Sequence, residues 1–596
     1  MAKMDAVLKK PKDTKGTLKR MLKYVADFRW LLVLVLVMCL ASNVLALLGP
    51  NLAGKAINEA AAGKGKVNFD KVYYYASRML IAYLISSVLS ISINMIMMYI
   101  SRWIAKKMRR DVFDKLMKLP VGFFDTNQAG DIISRVSYDI DVVSTCLGTD
   151  IVAIMTSVVT VIGSFGMMVY ISPMLAVVSL VTIPAAMIYT AKMRKVTQPR
   201  FSKRSKKYGE MNGFVEEMFS GQKSIVAYAY EDKVGENFDK INNEASDAYY
   251  DAAYYGMTMG PSVNFINNMG LSLTAMFGSL LYMMNLIGLG NISSFVLYSR
   301  KFSGPINEVA NIMTEIYSAL SAAERVFGLM NETEEVADQS NAAVLEHVRG
   351  DVEFKNVEFG YIKGKTIIHN LDMKADAGKL VAIVGPTGAG KTTIINLLMR
   401  FYDVDKGQIL VDGGEIRDYT RESLRKAYAM VLQDTWVFKG TIFENIAYGK
   451  EDATMEEAVV AAKAAHIHPF IMRLPQGYQT VISEDGGNIS KGQKQLLTIA
   501  RAMLYNAKML ILDEATSNVD TSTERQIQKA MRELMKDKTC FVIAHRLSTI
   551  QNADVIMVLE DGEAKEIGNH ESLMKEKGIY FDMFEKQQLE ARKELL

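Results

Sequence analysis

A stretch without a single charged side chain runs from Ile151 to Ala191, broken only by Ser172-Pro173. A bilayer-spanning helix takes about 20 apolar residues, so this stretch is two spans (151–171 and 174–191) joined by a tight turn. Trp30–Leu48 is equally uncharged and halts at Gly49-Pro50, and Met79–Ile100 is uncharged between Arg78 and Arg102. Gly256–Ser299 is a second double-length run with a Gly/Asn break around Asn285–Asn291. It gives spans over 260–284 and 292–316. Core helices of a water-soluble protein would not supply six such segments in one half of a chain. The expectation is an α-helical, six-span transmembrane domain over 1–325, its spans at 30–48, 79–100, 151–171, 174–191, 260–284 and 292–316.

Charge sets the orientation. Arg102–Arg110 holds five Lys/Arg and Lys192–Lys207 holds eight, which places both connecting segments on the cytoplasmic side. The N- and C-termini are then cytoplasmic and the Ser172-Pro173 turn lies outside. Leu18, Met21, Leu22 and Val25 recur at helical spacing among Lys19, Arg20 and Lys23. This predicts a basic amphipathic helix at 14–28 on the cytoplasmic membrane surface. The N-terminal Lys-rich segment reads as retained. Helical patterns at Lys106–Leu119 and Arg200–Tyr255 predict long cytoplasmic extensions, with tips near Ser137–Val143 and Gly213–Ser224. Arg300 and Lys301 stand about eight residues into the sixth span, roughly 12 Å deep. Charges at that depth are costly: Arg300 either faces the transport path, or snorkels to the headgroups or marks a misplaced span boundary.

A net charge of +3 over 596 residues predicts no nucleic-acid partner. Cys39, Cys146 and Cys540 lack disulfide or zinc-ligand spacing.

After a polar linker at 326–345, residues 346–596 have the pattern of an α/β nucleotide-binding domain. The apolar run Leu380–Val384 reads as a buried parallel strand. It leads into Gly385-Pro386-Thr387-Gly388-Ala389-Gly390-Lys391-Thr392 and then, past Thr393, into an apolar-periodic helix. This is the phosphate loop in its strand–loop–helix setting. Its glycines let backbone N–H groups converge on phosphate oxygens at a helix N-terminus. Lys391 is expected to reach the β/γ-phosphates and the Thr392 hydroxyl to ligate Mg²⁺. Met509–Leu512 is a second buried strand, ending in Asp513-Glu514: one carboxylate to support the metal, the next to act as general base on water.

With these motifs in order the chain resembles a type I ATP-binding cassette (ABC) exporter half-transporter over essentially its whole length. The resemblance implies that Tyr361 stacks on adenine and that Gln433 contacts the metal and the attacking water. It implies that Ile489-Ser490-Lys491-Gly492-Gln493 is the signature, with Ser490, Gly492 and Gln493 gripping the γ-phosphate held by the opposite cassette. Ser517-Asn518-Val519-Asp520 matches the D-loop, His545 the switch histidine, and Glu484 the segment that meets the membrane domain. Lys491 replaces the usual third-position glycine of the signature. Tyr298-Ser299-Arg300-Lys301-Phe302 with Pro305-Ile306-Asn307 is similar to bacterial heterodimeric multidrug half-transporters, and favours a heterodimer over a homodimer.

The implied activity is ATP-driven, alternating-access export in a bacterial cytoplasmic membrane, with ATP and Mg²⁺ as cofactors and a second half-transporter and membrane lipid as partners. The spans are Met- and aromatic-rich with few polar groups (Asn43, Asn94, Asn264, Asn267, Asn268). Such adaptable walls suit hydrophobic or amphiphilic small molecules. Lipids or hydrophobic peptides, or an ATP-gated channel, are the alternatives.

Overall fold

The computed structural model describes residues 13–63, 65–432, 435–483, 487–513, 520–544 and 550–594. The chain divides into two units: one ends at Glu334 and lacks Pro120–Thr126, and the other joins Pro120–Thr126 to everything from Glu335 onward.

The first unit is helical. It comprises α1 (Thr14–Ala26), α2 (Arg29–Ala60), α3 (Phe69–Leu116), α5 (Ala129–Ile171), α6 (Pro173–Ser220), α7 (Gln222–Ala227), α8 (Glu231–Met283) and α9 (Leu289–Met330), while α4 (Val121–Thr126) belongs with the second unit. Among the described residues α2, α3 and α5 are long and apolar enough to cross a membrane, and α6, α8 and α9 contain the remaining expected spans. α2, α3, α5 and α9 pack as one group, whereas α6 and α8 pack chiefly on each other. The small residues Ala245, Ala248 and Ala252 of α8 are buried. Lys207 of α6 bonds Glu244 of α8 at 2.6 Å, and the Arg200 guanidinium lies 3.9 Å above the Tyr255 ring.

α2 does not stop at Gly49-Pro50 but continues through Pro50 to Ala60. A proline has no N–H for the carbonyl four residues back, which strands the oxygen of Ala46. The Lys301 ammonium of α9 donates to that oxygen at 3.0 Å, Tyr298 donates to Leu47 O at 2.5 Å, and Ser294 to Pro50 O at 2.7 Å. A neighbouring helix satisfies the interrupted backbone, as membrane helices require. Lys301 is therefore a structural cation, while Arg300 beside it is exposed.

α9 also runs on through 326–330, where the linker is expected to start. In α1 the buried stripe is Thr17, Met21 and Val25; Leu18 and Leu22 of the expected apolar face are exposed. The expected tip at Ser137–Val143 is no tip: Asp139, Ile140 and Val143 are buried beside α9, with Asp139 clasped by Arg325 at 2.6 and 2.8 Å. Two π-helical turns, Arg135–Asp139 and Cys146–Asp150, rotate the α5 backbone there.

The second unit is α/β. A four-stranded antiparallel sheet has the order β2-β1-β4-β5, from β1 (Val352–Phe359), β2 (Ile368–Ala375), β4 (Lys406–Val411) and β5 (Gly414–Glu415). A six-stranded sheet has the order β12-β11-β3-β10-β9-β6, from β3 (Leu380–Val384), β6 (Tyr428–Val431), β9 (Met509–Asp513), β10 (Thr539–Ile543), β11 (Val555–Glu560) and β12 (Glu563–Gly568). Its strands from β11 to β6 are mutually parallel, with β12 antiparallel at the edge. A short β7–β8 pair (Gly440–Thr441, Val481–Ile482) lies apart from both. β3, β9 and β10 are almost entirely buried, as expected for parallel strands covered on both faces.

Candidate nucleotide site

Register fixes the site. Ile383 pairs with Ile543, Ile543 with Asp513, and Leu512 with Val431, so β3, β10, β9 and β6 all end at one edge of the sheet. Parallel α/β sheets bind ligands outside the carboxyl ends of their strands. From that edge the chain leaves β3 as Gly385–Gly390 and enters α10 (Lys391–Leu398).

The loop needs its glycines. Gly385 has φ +153°, and a Cβ there would lie 2.1 Å from the Leu559 carbonyl oxygen. Gly390, at φ +101°, caps α10 in a left-handed conformation, one that side chains disfavour. Gly388, at φ +87°, faces open space, and Ala389 tucks into the core. Lys391 Nζ donates to the carbonyls of Gly385 and Pro386 at 2.8 and 3.0 Å, folding over the loop. Burial lowers its pKa, and the Asp513 carboxylate opposes that shift. Thr392 opens the helix beside it, and Thr393 is buried.

Tyr361 stands at the end of β1 with 43% of its surface exposed. Its hydroxyl donates to Thr393 Oγ1 at 3.3 Å and accepts from Asn396 Nδ2 at 3.1 Å, which ties the ring to α10. Phe359 and Tyr402 pack edge-on against it, with centroids 5.0 and 4.9 Å away.

Ser490 caps α11 (Lys491–Tyr505) in a reciprocal box: Gln493 N donates to its hydroxyl at 3.3 Å and its own N donates to Gln493 Oε1 at 2.9 Å. Ser490 is exposed, Lys491 is exposed and Gly492 is buried. The Ser490 and Gln493 side chains thus bond at their own helix start. Asp520 caps the helix Thr521–Met535, accepting from Ser522 N and Thr523 N at 3.1 and 2.9 Å. Those bonds, the one from Thr523 foremost, hold its carboxyl far below the usual range. Gln433, Glu514 and His545 lie outside the described residues, as do Glu484 and Ser517–Val519. Asp513 and Ala544, the described neighbours of Glu514 and His545, both sit at the shared strand edge.

Among the described residues no cluster of three His, Cys, Asp or Glu could hold a metal, so a cage of protein ligands is absent there. A hydroxyl at Thr392 and a carboxylate at Asp513 are hard oxygen donors. Mg²⁺ is usually held by one or two such groups together with substrate phosphates, and these residues fit it in that mode.

Sequence reasoning gave no sign of Tyr402, Asn396 or the docking of α4. Their contacts join distant positions, and no motif marks them.

Residues 32–306 match the ABC transporter transmembrane region and residues 368–517 match the ABC transporter family. An uncharacterised ABC transporter ATP-binding protein, YfiC, of Bacillus subtilis (strain 168) is 42% identical over 97% of this chain and 95% of its own length. A fatty acid ABC transporter ATP-binding/permease protein of Mycobacterium bovis is 44% identical over 80% of this chain and 75% of its own. The solved structure of a bacterial Atm1-family ABC exporter with ATP bound superposes with a TM-score of 0.74 at 29% identity, covering 94% of this chain and 99% of that one. With both halves matched in one polypeptide, the chain belongs to the ABC exporters: it is a membrane protein that binds ATP and couples its hydrolysis to transport.

Proposed function

We propose that this chain is one subunit of a dimeric exporter that moves hydrophobic or amphiphilic small molecules across a bacterial cytoplasmic membrane by alternating access. The observation that carries the reading is a phosphate loop at the carboxyl edge of a parallel sheet, in the same chain as six spans. Loop amides and Lys391 hold the β/γ-phosphates, Tyr361 stacks on adenine, and Thr392, Asp513 and Gln433 are the residues that would hold Mg²⁺. When bound, that ion neutralises charge on the phosphates. Glu514 orients and deprotonates water as general base, and His545 contacts the γ-phosphate. Ser490, Gly492 and Gln493 act across the dimer, where the α11 N-terminus offers amides and a favourable field to a phosphate held by the partner cassette. ATP bound between two cassettes stabilises their closed state, and hydrolysis releases it, so nucleotide shifts the population between inward- and outward-open forms.

The cytoplasmic placement of both termini follows from the basic segments Arg102–Arg110 and Lys192–Lys207. The sparse contacts of the α6–α8 pair with the rest of its unit support a partner chain packed against it, and a heterodimer is the favoured assembly. The fatty acid transporter among its relatives favours a second reading of the cargo, in which it is a fatty-acyl lipid.

The test is Glu514→Gln in the full-length dimer. Hydrolysis is expected to fall by at least about 10²-fold, the low end for loss of a general base, with ATP still bound. Unchanged turnover removes Glu514 from this role. In inverted vesicles, uptake of a lipophilic dye against its gradient is expected with ATP and absent in the variant.

A further inference from the structure

The aromatic group beside the phosphate loop reaches further than the nucleotide. Tyr402 touches Tyr361 edge-on at 4.9 Å and Phe359 at 5.6 Å. Its hydroxyl donates to Asp125 Oδ2 at 2.5 Å. Asp125 belongs to α4, whose residues come from between the first unit's helices α3 and α5 yet pack with the cassette. The Tyr402 ring also covers Gly122 of α4: a Cβ there would come within 2.9 Å of its Cε1. Thus α4 is held at two points by one side chain, an acceptor at Asp125 and a bare backbone at Gly122. Burial and the Asp125 bond raise the Tyr402 pKa well above the ordinary phenol range, so it remains a donor at any working pH.

We propose that Tyr402 is a positioning residue that reports occupancy of the base site to α4. The inference rests on the reading of Tyr361 as the adenine contact. A purine stacked on the exposed face of Tyr361 restricts that ring. The ring stands against Tyr402, and Tyr402 sets how firmly α4 is seated. The nucleobase, and not the triphosphate alone, then tightens the cassette's grip on this segment. Tyr402 itself touches no phosphate or reacting atom.

The experiment uses the full-length protein, assembled with its partner, and follows hydrogen–deuterium exchange in 120–126 with Mg²⁺ and either ATP or inorganic tripolyphosphate, which has no base. The wild type is expected to slow exchange there about fivefold more with ATP than with tripolyphosphate, a difference that exchange resolves readily. Tyr402→Phe keeps the ring and loses the hydroxyl bond. It is expected to abolish that difference while the KM for ATP stays within about twofold. Asp125→Ala is expected to behave alike, and the double variant to add nothing further, as for two ends of one interaction. A retained ATP-specific protection in Tyr402→Phe overturns the proposal. So does equal protection by ATP and tripolyphosphate in a wild type that hydrolyses ATP, an outcome that leaves the exporter reading standing. A wild type without ATPase activity fails that reading instead, and the relay with it.

Discussion

At Gly385 the backbone leaves no room for choice. A methyl group would meet the Leu559 carbonyl oxygen at 2.1 Å, a backbone atom that cannot swing aside. Gly385→Ala is expected to weaken ATP binding at least tenfold and to destabilise the cassette by about 1–3 kcal/mol, the range for enforced backbone strain. Nucleotide titration and thermal unfolding of the full chain check both. Such residues are legible in a sequence because the geometry they serve is local: eight consecutive positions state the whole loop. Ser490 and Gln493 are also a local pair, closing a capping box three residues apart. Tyr402 is not legible, because its hydroxyl bond spans 277 positions and a tyrosine in such a place looks like any other. Asp520 shows the opposite case. The sequence marks it only through the D-loop resemblance, whereas its described bonds are all to the start of its own helix.

Among the elements, α2 corrects the simplest rule used on the sequence. Pro50 reads as a stop, yet the helix passes through it because α9 supplies donors for the carbonyls of Ala46, Leu47 and Pro50. Hydropathy finds the spans but is blind to a lysine on one helix repairing a proline on another. Lys301→Met is expected to leave the Ala46 oxygen unmatched and to cost about 1–3 kcal/mol. Adding Pro50→Ala, which restores the helix's own N–H, is expected to return most of that loss; thermal unfolding in detergent of the single and double variants decides it. The Asp139–Arg325 pair joins α5 to α9, with the Asp139 side chain nearly inaccessible. Arg325→Ala strands that carboxylate and is expected to cost about 3 kcal/mol, the low end for removing one partner of a buried pair, since Arg325 is itself partly exposed. Asp139→Asn in the Arg325→Ala background is expected to recover part of it.

For the whole molecule, a helical membrane domain followed by a cassette was legible because it rests on long-wavelength signals: uncharged runs and motifs in a fixed order. Assembly is not among those signals; the packing of α6 and α8 chiefly on each other is what supports the proposed partner chain. If the favoured heterodimer is right, the chain purified with the product of an adjacent half-transporter gene is expected to hydrolyse ATP at least tenfold faster than alone, by about 1.4 kcal/mol or more of transition-state free energy. Equal rates favour the homodimer. The placement of α4 also dictates an order of events during biosynthesis. Asp125 leaves the ribosome 277 residues ahead of the tyrosine that donates to it, a lag of roughly 14–55 s at about 5–20 residues per second. Throughout that interval the segment stays undocked while the later membrane helices are inserted. The second unit, to which α4 belongs, is thereby completed only when its later residues exist, and a nascent chain arrested before Tyr402 has no means of completing it.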